Sequence, residues 1–225
     1  MGSAVVIAPK TEQRKNLEQF LQQLPRFASG VEGFGTFRDA SSAIARGGAT
    51  DVVFISEDLG KKSIQDFISY QKDGKFGKRI CFIGLCGSND AGSEKIGELL
   101  AAGVHGILKE PITYNAVEDA LSVSKSFKNQ GTKLRLKTAA GLFLSSAVDK
   151  LTAEQGLPTN TKDIITKVRD ACKDYKRLTG ESLTLDAVRP SGADVEEYTG
   201  ISKRVREIYE LRLKSLIGRL FKAPG

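Results

Sequence analysis

Five positions in the first half of this chain lie where an α/β sheet presents its chemistry: Pro9, Lys10, Ser56, Gly84 and Glu110. Each closes or follows a short apolar run, and ligands on such sheets sit at the carboxyl ends of the strands. Metal-assisted chemistry there needs clustered carboxylates, since a magnesium site takes one or two of them plus phosphate oxygens. Pro9 has no ligating side chain, Lys10 would repel a cation, and Ser56 brings only a neutral hydroxyl. Glu57 and Asp58 are the nearest acids. The set is poor for catalysis.

Other catalytic chemistries find little support. His105 is the only histidine, which leaves no histidine-rich metal site and no second histidine for a Ser-His-Asp arrangement. Its place before a strand reads as a surface or packing histidine. The three cysteines, Cys81, Cys86 and Cys172, lack metal-ligand spacing and read as buried free thiols of a reducing cytoplasm. Gly30-Val31-Glu32-Gly33-Phe34-Gly35 looks superficially like a dinucleotide loop, but it enters a strand instead of following one. No enzyme, cofactor or metal site is expected.

The elements that position these residues follow from hydrophobic periodicity. Strands are expected at Val5–Ala8, around Gly33–Phe37, and at Val52–Ile55, Ile80–Ile83 and Gly106–Leu108. Helical spacing recurs over Thr11–Leu24, Ser41–Arg46, Ser63–Tyr70, Ser93–Ala102 and Tyr114–Phe127, with Gly103 expected as a left-handed cap. Five β-α units with right-handed crossovers predict a doubly wound parallel sheet. Met1-Gly2-Ser3 runs into the first strand, so no signal peptide is expected, and no apolar stretch reaches membrane-spanning length.

Charge divides the chain. Residues 1–125 hold 15 basic and 15 acidic side chains, so the whole excess of +7 lies in the remainder. Two domains are expected, 1–127 and 128–225, joined at Lys128–Thr132. The second is expected to be all-α, with helix from Lys133 to about Gly156 and an amphipathic helix after Asn160-Thr161 that Gly180 stops. Leu183–Val188 adds a short turn, and a last helix runs to Lys222. That last helix carries a candidate basic binding face of Lys203, Arg204, Arg206, Arg212, Lys214 and Arg219. These helices form either a small bundle or a hairpin completed by a second copy of the chain.

Two segments carry a family resemblance. Thr50-Asp51-Val52-Val53-Phe54-Ile55-Ser56 is similar to strand three of bacterial response-regulator receiver domains. Ala102-Gly103-Val104-His105-Gly106-Ile107-Leu108-Lys109-Glu110-Pro111 resembles the receiver's Ala-Gly-Ala-x-x-Tyr-Leu-x-Lys-Pro run. The resemblance covers about residues 4–127 and implies a five-stranded sheet of order 2-1-3-4-5. Receivers phosphorylate an aspartate ending strand three, beside an acidic pair that holds magnesium, a hydroxyl after strand four and a lysine after strand five. Here those positions become Ser56, Pro9-Lys10, Gly84 or Leu85, and Glu110, while the aromatic switch position becomes Ile107. A register slip of two would instead place Asp58 at the acceptor position. The resemblance thus implies a degenerate pseudo-receiver.

Lys10 stands where the family has an acid, and Glu110 where it has lysine. The reversal suggests a polar plug of Lys10 and Glu110, with Ser56 as a third member, closing the pocket without metal. The expected function is a cytoplasmic, phosphorylation-independent regulator whose receiver-like domain binds a protein partner. By resemblance, the partner surface lies around Ser93–Gly103 and Ile107–Ser126. The alternative is a DNA-binding regulator whose basic helices contact phosphates, although no helix-turn-helix or zinc-ligand spacing supports it. Salt titration separates the two, because phosphate contacts weaken steeply with salt.

Overall fold

The apolar runs form five parallel strands in a computed structural model of the chain, which describes residues 2–27, 30–47, 50–74, 79–87, 93–153 and 161–182. The strands are β1 (Ser3–Ile7), β2 (Val31–Phe34), β3 (Thr50–Ser56), β4 (Cys81–Cys86) and β5 (Gly106–Lys109). Their order is β2-β1-β3-β4-β5, the flavodoxin-like, receiver-type sheet expected from the sequence. The helices are α1 (Thr11–Gln22), α2 (Phe37–Gly47), α3 (Lys61–Asp73), α4 (Ser93–Ala102), α5 (Tyr114–Ala153) and α6 (Thr161–Thr179).

Successive strand residues face opposite layers. Val6, Phe54, Ile83 and Leu108 share one core with Leu17 and Leu21 of α1 and Val117 and Leu121 of α5. On the other face, Phe82 meets Phe67 of α3 edge-on at 6.3 Å, and Phe67 stacks on Phe37 at 4.5 Å. Ser56 follows Phe54 by two residues, so its side chain belongs to the α1 layer.

Several boundaries differ from expectation, three of them near the strand ends and the domain joint. β2 ends at Phe34, because Thr36 caps α2 through a 3.3 Å bond from the Asp39 amide and draws Phe37 into the helix. β4 continues past Ile83 to Cys86, since Gly84-Leu85-Cys86 adds small and apolar residues that remain in register with β3 and β5. The helix expected to end at Phe127 runs on to Gly131, where φ 80° and ψ −178° interrupt α5 before it continues to Ala153. Gly103 and Gly180 close α4 and α6 at φ 120° and 73°.

The chain divides into two compact units, Met1–Ala91 with Glu98–Gly131, and Gly92–Gly97 with Thr132–Gly225. In the second, Leu136, Ala139, Ala140 and Phe143 of α5 and Ala171, Cys172 and Tyr175 of α6 are buried. Burial pulls the Arg135 guanidinium down to about 10 and pushes the Cys172 thiol up to about 11. All three cysteines are buried free thiols. Among the described residues, no helix is long and apolar enough to cross a membrane. Leu183–Val188 and the basic face from Lys203 to Arg219 lie outside the described residues.

Candidate functional site

The carboxyl ends of the strands open into a cleft of about 830 Å³, between the first turns of α1 and the segments that follow β3, β4 and β5. Ser56 is the last residue of β3 and is fully buried. Its hydroxyl lies 3.0 Å from Gln13 Oε1 and 3.3 Å from Asp58 Oδ2, and accepts the Asp58 amide at 3.4 Å. One hydroxyl proton serves one acceptor at a time, and Gln13 is the nearer. The Gln13 amide in turn donates to Glu110 Oε1 at 3.1 Å.

Lys10 immediately precedes α1, and its ammonium lies 3.0 Å from Asp58 Oδ2. That hydrogen bond, followed by the Asp58 charge, holds Lys10 above its usual 10.5; Glu110 and Glu57 add weaker attraction, and slight desolvation opposes it. Lys10 is 69% exposed and Asp58 34%, so solvent screens the pair and its effect is on geometry more than on stability. Glu57, in the short 3-10 turn Glu57–Leu59, accepts the Gly87 amide at 3.0 Å and ties the end of β3 to the end of β4.

The expected plug therefore needs correction. Lys10 and Glu110 line one cleft, but Lys10 bonds Asp58 while Glu110 bonds Gln13. β3 and β4 stand between β1 and β5. At about 4.8 Å per strand, that is roughly 14 Å at the level of the sheet, and a glutamine on α1 spans what a direct pair does not.

Gly84 also moves. It was expected just past the strand, yet it lies within β4, paired with Ile55 and Ile107. A Cβ there would stand 2.9 Å from Leu99 Cδ1 and 3.3 Å from Ile107 Cδ1, so close packing explains the glycine. The rim beside Ser56 is instead Cys86 and Gly87. Pro9 is exposed in the turn between β1 and α1.

Two features escaped the sequence reading. Gln13 joins Ser56 to Glu110. Phe20, Pro111 and Ile112 add apolar surface to the cleft wall. Gln13 follows Lys10 by three residues, so helical spacing from the strand end was the signal available for it. His105, expected as a surface or packing residue, is 6% exposed; its Nδ1 accepts the Phe82 amide at 3.1 Å.

No protein-family model and no curated protein matches the chain. Solved structures do. A chemotaxis response regulator of Vibrio cholerae is 18% identical, over 55% of this chain and 98% of that one, with a TM-score of 0.45. The signal receiver domain of a DNA-binding response regulator from Colwellia psychrerythraea is 17% identical, over 54% and 96%, at 0.44. A receiver domain from Methylobacillus flagellatus is 20% identical, over 55% and 98%, at 0.43.

Proposed function

We propose that the chain is a cytoplasmic, non-enzymatic regulator whose receiver-like unit works without phosphorylation, as a binding platform for a protein partner, joined to a helical output or dimerisation unit. The observation that carries this reading is the buried Ser56 hydroxyl. Ser56 ends β3 and bonds to Gln13 and Asp58, and by the resemblance that is the position at which a receiver holds its phospho-accepting aspartate. Two further features support it. The Lys10 ammonium is bonded to Asp58, in a rim where a divalent cation would need open carboxylates. Glu110 stands where a phosphoryl group would require a cation and would repel the incoming anion.

The test is direct phosphorylation. The full chain is incubated with magnesium and a small acyl phosphate, and its intact mass is read. An unmodified mass is expected. A hydroxylamine-labile phosphoryl adduct mapped to Asp58 would overturn the reading, because the pocket would then take a phosphoryl group two residues beyond Ser56.

A further inference from the structure

One wall of the cleft is apolar. Phe20 of α1 and Ile112 after β5 are only partly buried: each packs against the core and also lines the cleft, where the exposed Pro111 joins them. At about 830 Å³ the cleft falls within the roughly 300–1,000 Å³ that binding pockets occupy. Every residue lining it belongs to a single compact unit.

The same cleft is lined by four carboxylates, Glu12, Glu57, Asp58 and Glu110, against one ammonium, Lys10, which leaves a balance of three negative charges. Lys10 already shows how these acids act on a cation, since its ammonium is bonded to Asp58 and attracted by Glu110 and Glu57. The acids do not meet at a point: among the described residues no three stand where they could hold one metal ion. A compact divalent cation therefore fits the cleft poorly, and an anion is repelled. A cation carried on an apolar stem matches both the acids and the wall. Arginine has that form, with a stem of methylenes and a planar, weakly hydrated guanidinium whose five N–H groups can serve more than one carboxylate.

We infer that the cleft is a recognition pocket for an arginine of the partner protein, with the apolar neighbours of that arginine laid on Phe20, Pro111 and Ile112. This rests on the proposed reading of the unit as a protein-binding platform and adds the chemistry of the partner. Glu12 and Glu110 supply the acceptors, because Asp58 is engaged with Lys10 and Glu57 with the Gly87 amide. Glu110 keeps capacity for it: the Gln13 amide engages Oε1, and a carboxylate offers about four lone-pair sites.

The probe is the capped peptide Ala-Leu-Arg-Leu-Ala, titrated into the isotope-labelled full chain at low salt, with backbone amide shifts read by NMR. Saturating shifts are expected at Gln13, Asn16, Gly87 and Ile112. Citrulline in place of the peptide's arginine keeps the shape, removes the charge and should weaken binding about tenfold. Arginine amide alone, without the leucines, should also bind about tenfold more weakly. Glu110→Gln keeps an acceptor for Gln13, and Glu12→Gln is an exposed change at the start of α1. Each should weaken the arginine peptide about threefold. The inference stands if the peptide saturates these shifts, binds more tightly than both comparison ligands, and is weakened by at least one of the two substitutions. It falls if the amides do not move, if citrulline or arginine amide binds as tightly, or if neither substitution matters. A peptide that fails on a chain left unmodified by acyl phosphate removes this inference alone. A phosphoryl adduct on Asp58 removes the proposed reading whether or not the peptide binds.

Discussion

Replacing Ser56 with aspartate tests whether the cleft is built against a phospho-acceptor or merely lacks one. Ser56 is fully buried, and its hydroxyl sits 3.0 Å from Gln13 Oε1 and 3.3 Å from Asp58 Oδ2. A carboxylate there can donate to neither oxygen, and its charge faces that of Asp58. Two like charges 4 Å apart at an effective dielectric of about 20 repel by roughly 4 kcal/mol. Asp58 is partly solvated and already faces Lys10, which about halves that figure, so Ser56→Asp should cost about 2 kcal/mol. Urea denaturation in chelator measures the loss. Adding Lys10→Asp removes the ammonium and gathers carboxylates at 10, 56 and 58. This double variant should be weaker still in chelator and should recover in magnesium, by about 1.4 kcal/mol at ten times the dissociation constant. Wild type should unfold at the same urea concentration with or without the cation. A wild-type midpoint that rises with magnesium, or a Ser56→Asp variant as stable as wild type, would refute the reasoning.

Three further outcomes follow from the geometry. Gln13→Ala removes the bonds to both Ser56 and Glu110 and should cost about 1–2 kcal/mol in urea denaturation, with the Ser56 hydroxyl left to Asp58. His105→Leu strips the buried Phe82 amide of its acceptor and should cost about 1–3 kcal/mol, whereas His105→Asn, which keeps an acceptor, should lose less by the same measurement. The Lys133 hydrogen bond, then its charge, holds the Glu181 carboxyl below 4.5, and bonding to Glu181 holds Lys133 above 10.5. Glu181's contribution is therefore present above pH 4.5 and lost as pH falls through its lowered value. That of Lys133 is present below pH 10.5 and lost as pH rises through its raised value. An NMR titration of the Glu181 carboxyl should show the lowered midpoint, and Lys133→Ala should raise it, with the Tyr175 hydrogen bond left in place.

The sheet was legible because its signal is local. Val5–Ala8, Val52–Ile55 and Gly106–Leu108 are apolar runs too short for helices, and they recur between amphipathic segments, which limits the topology to a few choices. What misled was the reading of punctuation. Gly84 looked like the end of a strand, but it lies inside β4, paired with Ile55 and Ile107 and packed closely beneath Leu99. Phe37 looked like strand, yet the Thr36 cap makes it the first residue of α2. Gly131 looked like part of a five-residue joint, and the helix runs up to it. For Gly84 and Phe37 the outcome depends on a neighbour distant in sequence or on a cap whose partner is not apolar. The hydrophobic pattern records neither.

The candidate site was half legible for a related reason. Strand ends name the positions near the rim, so Lys10 and Glu110 were found lining it and Ser56 buried just beneath, but they do not name the pairs those positions form. Pairing is decided across the sheet, where two intervening strands keep Lys10 from Glu110, and by the helix that crosses above. α1 places Gln13 one turn after Lys10, close enough to Ser56 and Glu110 to bond both. A glutamine can do this because its amide accepts from a hydroxyl and donates to a carboxylate at once, and neither lysine nor glutamate offers both. On the proposed reading, that dual capacity stands in for metal and phosphate. On that reading the cleft keeps one arrangement because Lys10, Gln13, Ser56 and Glu110 take partners supplied by the chain, with no dependence on a cation or phosphoryl donor from solution.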